Sequence, residues 1–150
     1  FLFLFAAMAY GLLAALLQAG ADLVIGSRVT GRAEPGALTP LQRFGNGLTC
    51  TLVRWLWGVT YTDLGPLRAI TRPAYQRLEM ADPDFGWTIE MQVKAAQQGL
   101  SVIERPVRYR VRRAGRSKVS GTVLGSIRAG QRILGYVAEA KLNEWLGRHR

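Results

Sequence analysis

Ala21-Asp22-Leu23-Val24-Ile25-Gly26-Ser27-Arg28 decides the fold. Ala21 to Gly26 reads as a short apolar strand ending in Gly-Ser-Arg. A helix reaches it with no linker: Leu12 to Ala19 is helical in pattern and Gly20 stops it. Downstream, residues 29–40 carry Gly31, Pro35, Gly36 and Pro40 and read as a polar loop. Leu41 to Trp57 returns to helix, since Leu41, Phe44, Leu48, Leu52, Trp55 and Leu56 recur at three- and four-residue steps. Thr60 to Pro66 is a turn, Leu67 to Thr71 a short strand, and Pro73 opens a helix to about Met80. A helix from about Gly86 to Gln98 is closed by Gly99. Strands at 101–104 and 106–111, a basic loop, and a long helix from about Val119 to Leu146 complete the chain. That last helix carries an apolar stripe of Val119, Val123, Ile127, Leu134 and Val137. Helices alternating with strands predict an α/β sheet, and three or four strands leave it incomplete.

The 150 residues suffice for one modest domain with a core. A composition of 49% hydrophobic and 20% charged residues is that of a globular chain. Net charge is +10, which favours an anionic partner: a phosphorylated small molecule, a membrane surface or a nucleic acid. The lone Cys50 excludes an intrachain disulfide and reads as a buried, inert thiol. His149, the one histidine, sits beside the C-terminus and argues against a histidine triad or a His/Cys zinc site. Residues 1–21 carry no charge; as a helix they would span about 31 Å, enough to cross a bilayer core. The alternative is a displaced core helix, because the next residues feed a central strand. Arg28 and Arg32 would put the far side in the cytoplasm if the segment spans.

Several groups can carry chemistry. Arg105, Arg108, Arg110, Arg112, Arg113, Arg116 and Lys118 are seven cations within fourteen residues with no acid among them. Charge runs are usually solvated loops. Here Arg112-x-x-Gly115-Arg116-Ser117-Lys118 adds a glycine and a hydroxyl, so the loop can wrap phosphate oxygens. Arg28 lies where ligands collect in open α/β sheets, at the carboxyl end of a strand; a surface arginine is the equal alternative. Arg43 and Asn46 share a helix face and can hold phosphate, or can simply be solvated. Asp63 can cap its turn or orient an acceptor or an arginine. Glu90 lies on a largely apolar helix, where a carboxylate acts as a base or, the favoured role, as an ion-pair anchor. Asp82-Pro83-Asp84 mimics a metal-binding pair, but it follows a helix rather than a strand, and Asp84 reads as an N-cap.

Taken in order, these stretches resemble the C-terminal half of family 2 glycosyltransferases, above all the branch that acts on polyprenyl or dolichol phosphate. The resemblance rests on Ala21 to Arg28, Arg43-x-x-Asn46, Asp63-x-x-x-x-Arg68-Ala69, and Glu90. It continues through Gly99-x-x-x-x-Glu104-x-Pro106-Val107-x-Tyr109 and Arg112-x-x-Gly115-x-Ser117-Lys118, from about Leu12 to about Leu134. It implies a partial glycosyltransferase A-type fold, a nucleotide-sugar donor, and a polyprenyl-phosphate or other phosphorylated acceptor. Arg28, Arg43 and Asn46 would hold acceptor phosphate, while Arg112, Arg116, Ser117 and Lys118 would close over the diphosphate. Asp63 and Glu90 would line the acceptor side as the catalytic candidates. The family's Asp-x-Asp and first nucleotide-binding strands precede everything seen here. A divalent metal, Mg or Mn, is therefore expected for a full-length enzyme, with no ligands in this chain. A fragment unable to catalyse transfer alone is expected.

Three divisions follow: 1–21 as the apolar helix, 22–118 as the C-terminal half of a glycosyltransferase domain, and 119–150 as a long amphipathic helix suited to an anionic membrane. The expected location is the cytoplasmic face of a membrane, peripheral or anchored by residues 1–21. A nucleic-acid-binding module is the rival suggested by charge and by Trp55, Trp57 and Tyr61; against it, these aromatics follow apolar helical patterns, so no nucleic-acid partner is expected. A small membrane-anchored interaction protein is the third class.

Overall fold

The computed structural model describes residues 2–31, 33–83, 86–111 and 123–148. Helix α1 (Leu2–Ala19) leads into strand β1 (Leu23–Ser27). Then follow α2 (Pro40–Trp57), β2 (Arg68–Ile70), α3 (Arg72–Leu78), α4 (Trp87–Gln97), β3 (Val102–Pro106) and α5 (Val123–Arg148). The α/β expectation holds, in a small mixed sheet of order β2-β1-β3. β1 is central and every residue of it is buried. β2 pairs with it antiparallel and β3 parallel, so Arg68 and Glu104 flank Ile25 in one row.

The alternation of β1 divides the core into two layers. Leu23 and Ile25 face α2, α3, α4 and α5, with Val53, Leu78, Ile89, Val93 and Val137. Val24 faces the other way, where Leu12, Ala15 and Leu16 of α1 pack with Ala69 and Val107. The α1 helix thus covers one sheet face, although Tyr10, Leu13 and Leu17 on its far side are exposed. Among the described residues no helix is long and apolar enough to cross a membrane.

Local chemistry explains the boundaries. Thr39 caps α2 in a reciprocal capping box with Gln42, Pro40 occupies the first turn, and Gly58 ends the helix at φ 74°. Thr71 caps α3. One expectation fails at the second half of the 101–111 segment. Only Val102–Pro106 forms a strand, because its partner β1 ends at Ser27, opposite Pro106; beyond it Tyr109 makes an isolated bridge with Ala33. The apolar stripe of α2 divides: Leu52 and Leu56 pack against the core beside Val53, while Phe44 is 68% and Trp55 80% exposed. In α5 the stripe divides, with Val137 in the core and Ile127 and Leu134 exposed. Phe1, Arg32, Asp84, Val119 and His149 lie outside the described residues.

Candidate functional site

The polar centre forms where β1 ends and the 61–65 turn crosses it. That crossing requires Gly65, since a Cβ there would run into the Gly26 carbonyl oxygen. The turn delivers Asp63, fully buried, to Arg28. The Arg28 Nε and Nη2 groups donate to the two Asp63 carboxylate oxygens at 2.8 and 2.7 Å, and the Arg28 backbone N–H adds a third bond at 2.7 Å. Burial opposes the Arg28 charge, but the Asp63 hydrogen bonds and charge outweigh it and raise the guanidinium above its usual pKa. The Tyr109 ring lies 5.4 Å from the same guanidinium carbon.

Glu104 of β3 secures the turn from below. Its carboxylate accepts from the Thr62 hydroxyl at 2.6 Å and from the Thr62 backbone N–H, and Thr62 bonds Ser27 at 2.7 Å. Arg68 donates to the Gly65 and Thr88 carbonyls and to Gln92 Oε1. Burial pulls it down to about 10, so it remains a cation at neutral pH. Gln92 in turn donates to the Asp63 carbonyl. These buried groups hold one another, and among the described residues no buried side-chain polar atom lacks a partner.

Two cavities open beside Arg28. One, of about 360 Å³, is lined by Arg28, Arg43, Gln42, Asn46 and Thr62. The other, of about 390 Å³, runs between α2 and α5, with Phe44, Leu48, Ile127, Ile133 and Leu134 on its walls. Arg28, Gln42 and Asn46 line both, so a cationic seat adjoins an apolar groove.

The expected site residues separate into three groups. Arg28 and Arg43 come together on one cavity wall. Asp63 is the arginine's partner, the orienting role among those expected of it. Asn46 reaches the cavity, but its amide donates to the Thr62 carbonyl and accepts from the Leu64 N–H, so it fixes the turn. Glu90 lines neither cavity. Its carboxylate accepts from the Ala81 and Asp82 N–H groups at 2.8 Å and pairs with Lys94 at 2.8 Å. Burial alone would raise its pKa; the Lys94 and backbone hydrogen bonds prevail and hold it below 4.5. That is the anchor geometry, not that of a proton-accepting base. Asp82 pairs with Arg132 at 2.8 Å. Among the described residues no group of three or more His, Cys, Asp or Glu side chains is placed to hold a metal. Arg112, Arg116, Ser117 and Lys118 lie outside the described residues; Val111, just before them, donates its N–H to Glu34.

Glu104, Thr62, Gln92 and Arg68 were absent from the expected site. Glu104 and Arg68 stood inside the quoted motifs, but only the row Arg68–Ile25–Glu104 reveals why an acid and a base belong there.

No protein-family model matches the chain, and no solved structure matches it. Similar sequences do exist. An uncharacterized glycosyltransferase of Mycobacterium tuberculosis is 37% identical over 116 residues, 77% of this chain and 52% of the relative. A dolichyl-phosphate hexose transferase of Haloferax volcanii is 30% identical over 128 residues, 85% of this chain and 54% of the relative. A polyprenol monophosphomannose synthase of Mycolicibacterium smegmatis is 32% identical over 114 residues, 71% of this chain and 42% of the relative. The chain spans about half the length of the curated relatives it matches. By these similarities the chain is a homologue of glycosyltransferases, among them enzymes named for polyprenol- and dolichyl-phosphate sugar transfer.

Proposed function

We propose that the chain forms the acceptor side of a family 2 glycosyltransferase that moves a sugar from a nucleotide-sugar to a polyprenyl phosphate. One observation carries this reading: two arginines from separate stretches share a cavity wall, and that cavity adjoins an apolar groove. A phosphate with a long hydrocarbon tail has matching chemistry, with its head at Arg28 and Arg43 and its tail along Phe44, Leu48 and Leu134. Asp63 cancels one positive charge while fixing the plane of the Arg28 fork, and Arg43 supplies the remaining cation.

A phosphate monoester is already anionic near neutral pH, so the acceptor needs no strong base. Its oxygen forms the bond to the anomeric carbon as the bond from that carbon to the nucleoside diphosphate breaks. The chain's task is to position two anions and offset their repulsion. Arg112, Arg116, Ser117 and Lys118 would close over the leaving diphosphate. Residues 22–118 would be the C-terminal half of the domain, flanked by 1–21 and by 119–150 on an anionic membrane at its cytoplasmic face. A divalent metal, Mg or Mn, belongs with this reading, but Asp63 and Asp82 are committed to arginines and do not form its seat.

Binding of a short polyprenyl monophosphate tests the reading by calorimetry. Arg43→Ala is on the surface and should leave folding intact while weakening binding about tenfold. Arg28→Lys keeps the charge but loses the fork and should weaken it similarly. The corresponding alcohol should not bind. Equal affinity for alcohol and phosphate, or unchanged affinity in both variants, would overturn the assignment.

A further inference from the structure

We propose that Gly45 of α2 and Gly130 of α5 are specificity-determining residues for the hydrocarbon tail: they leave the groove wide enough, just beyond the cationic seat, for a methyl-branched chain. The inference rests on the transfer reading and deepens it by naming the feature of the tail that the site selects.

A glycine inside a helix costs stability against alanine, so each interior glycine calls for a reason. Conformation is not the reason, since neither residue has a positive φ. Packing is not the reason either: a Cβ on either one would meet no protein atom within 4 Å, whereas at Gly26, Gly31 and Gly65 it would strike a neighbour. Gly135 of α5 shares that open space but lines neither cavity. Gly45 and Gly130 both line the groove, one on each wall.

Their places in the helices aim them into it. Leu41, Phe44, Leu48 and Thr49 of α2 line the groove, and Gly45 falls in the middle of that face, one turn from Leu41 and one from Thr49. On the facing wall Gly130 falls between Ile127 and Leu134, at steps of three and four residues. Each glycine is therefore a notch in a row of bulky side chains.

The notches stand at one height. The two helices run in the same direction, and near their far ends Trp57 donates to Glu144 at 2.8 Å. Counted back from that bond at about 1.5 Å per residue, Gly45 lies about 18 Å and Gly130 about 21 Å away, a difference of less than one turn. Gly45 also adjoins Asn46, which lines both the groove and the cationic cavity. The gap thus lies where a tail leaves its phosphate. A straight alkyl chain needs no such width. A polyprenyl chain carries methyl branches at regular intervals, the first within a few bonds of the phosphate, and an alanine methyl on either wall would occupy the space of a branch.

Calorimetry on the whole chain tests this with citronellyl monophosphate and n-octyl monophosphate, which share a main-chain length and differ in the branches. The parent chain should bind the branched phosphate about tenfold more tightly, because two further methyl groups are buried. Gly45→Ala and Gly130→Ala should each erase that preference, weakening citronellyl phosphate about tenfold and n-octyl phosphate less than about twofold. Both variants should raise the urea midpoint, as should Gly135→Ala, which should leave both affinities unchanged. A merely structural role would lower the midpoint and weaken both phosphates alike. The inference is overturned by that result, by equal binding of the two phosphates to the parent chain, or by a preference that survives both substitutions; in each case the phosphate still binds and the transfer reading stands. A parent chain that binds neither phosphate overturns the transfer reading and this inference together.

Discussion

Single carboxylates in this protein are defined by what holds them. Glu90 is the clearest case, since sequence allows it to be a base and geometry makes it an anchor. It accepts two backbone N–H groups and an ammonium, all of which need the ionised form. Its folded pKa therefore lies below the ordinary 4.5, and the unfolded chain binds more protons at mildly acidic pH. The stabilisation is complete above the unfolded value and is lost as pH falls through the folded one. Glu90→Gln should cost about 2 kcal/mol near neutral pH by urea unfolding. It should also flatten the acid side of the stability profile, because the titrating group is gone. A profile as steep as that of the parent chain would mean another carboxylate dominates. Asp63 and Glu104 act in the same manner on other groups, one aligning a guanidinium and the other a turn. No residue type announces such a role, since the partners come from stretches 35 and 42 residues apart.

At the scale of elements, close backbone approach sets the site. The 61–65 turn touches the end of β1 at Gly65, and the 28–34 loop touches Val107 at Gly31. Gly65→Ala should therefore destabilise by about 1–3 kcal/mol, since a carbonyl rather than a flexible side chain obstructs it. Gly135→Ala, in α5 with open space around it, should stabilise by about 0.5–1 kcal/mol. Urea midpoints of the two variants moving in the same direction would refute the distinction. Most elements were legible from local signals: Gly20 and Gly58 end helices, and Pro73 opens one. Periodicity also found α2, but period reports that a helix has an apolar side and not where that side points. Here it straddles the boundary: Leu52 and Leu56 pack against the core, while Phe44 and Trp55 face solvent. The false second strand at 106–111 has a non-local cause, because β1 ends at Ser27 opposite Pro106 and offers the segment no further partner. Arg28 and Arg43 were legible as candidate site cations because both lie near predicted element ends, and they share a cavity wall. The Glu104 and Gln92 supports were not, since pairing across the sheet and turn is information no single stretch contains.

For the whole molecule, the remaining question is whether α1 belongs to the domain or to a bilayer, and it has a thermodynamic answer. Sequence permitted both, for an uncharged segment long enough to span. In the structure Leu12 and Leu16 are 3% and 7% exposed, against Val24, Ala69 and Val107, so α1 closes the sheet face opposite α2, α4 and α5. Without α1 that face, including the central strand, would stand open to water. Leu12→Ala with Leu16→Ala should then cost about 4 kcal/mol or more in vesicle-free solution, by lost transfer energy and the cavities left behind. Leu13→Ala with Leu17→Ala removes the same number of carbons from the exposed side and should cost within about 0.5 kcal/mol. A helix that served only as a lipid anchor would contribute nothing to the fold in water, and both pairs would then be neutral. A large difference between the pairs makes α1 a layer of the domain.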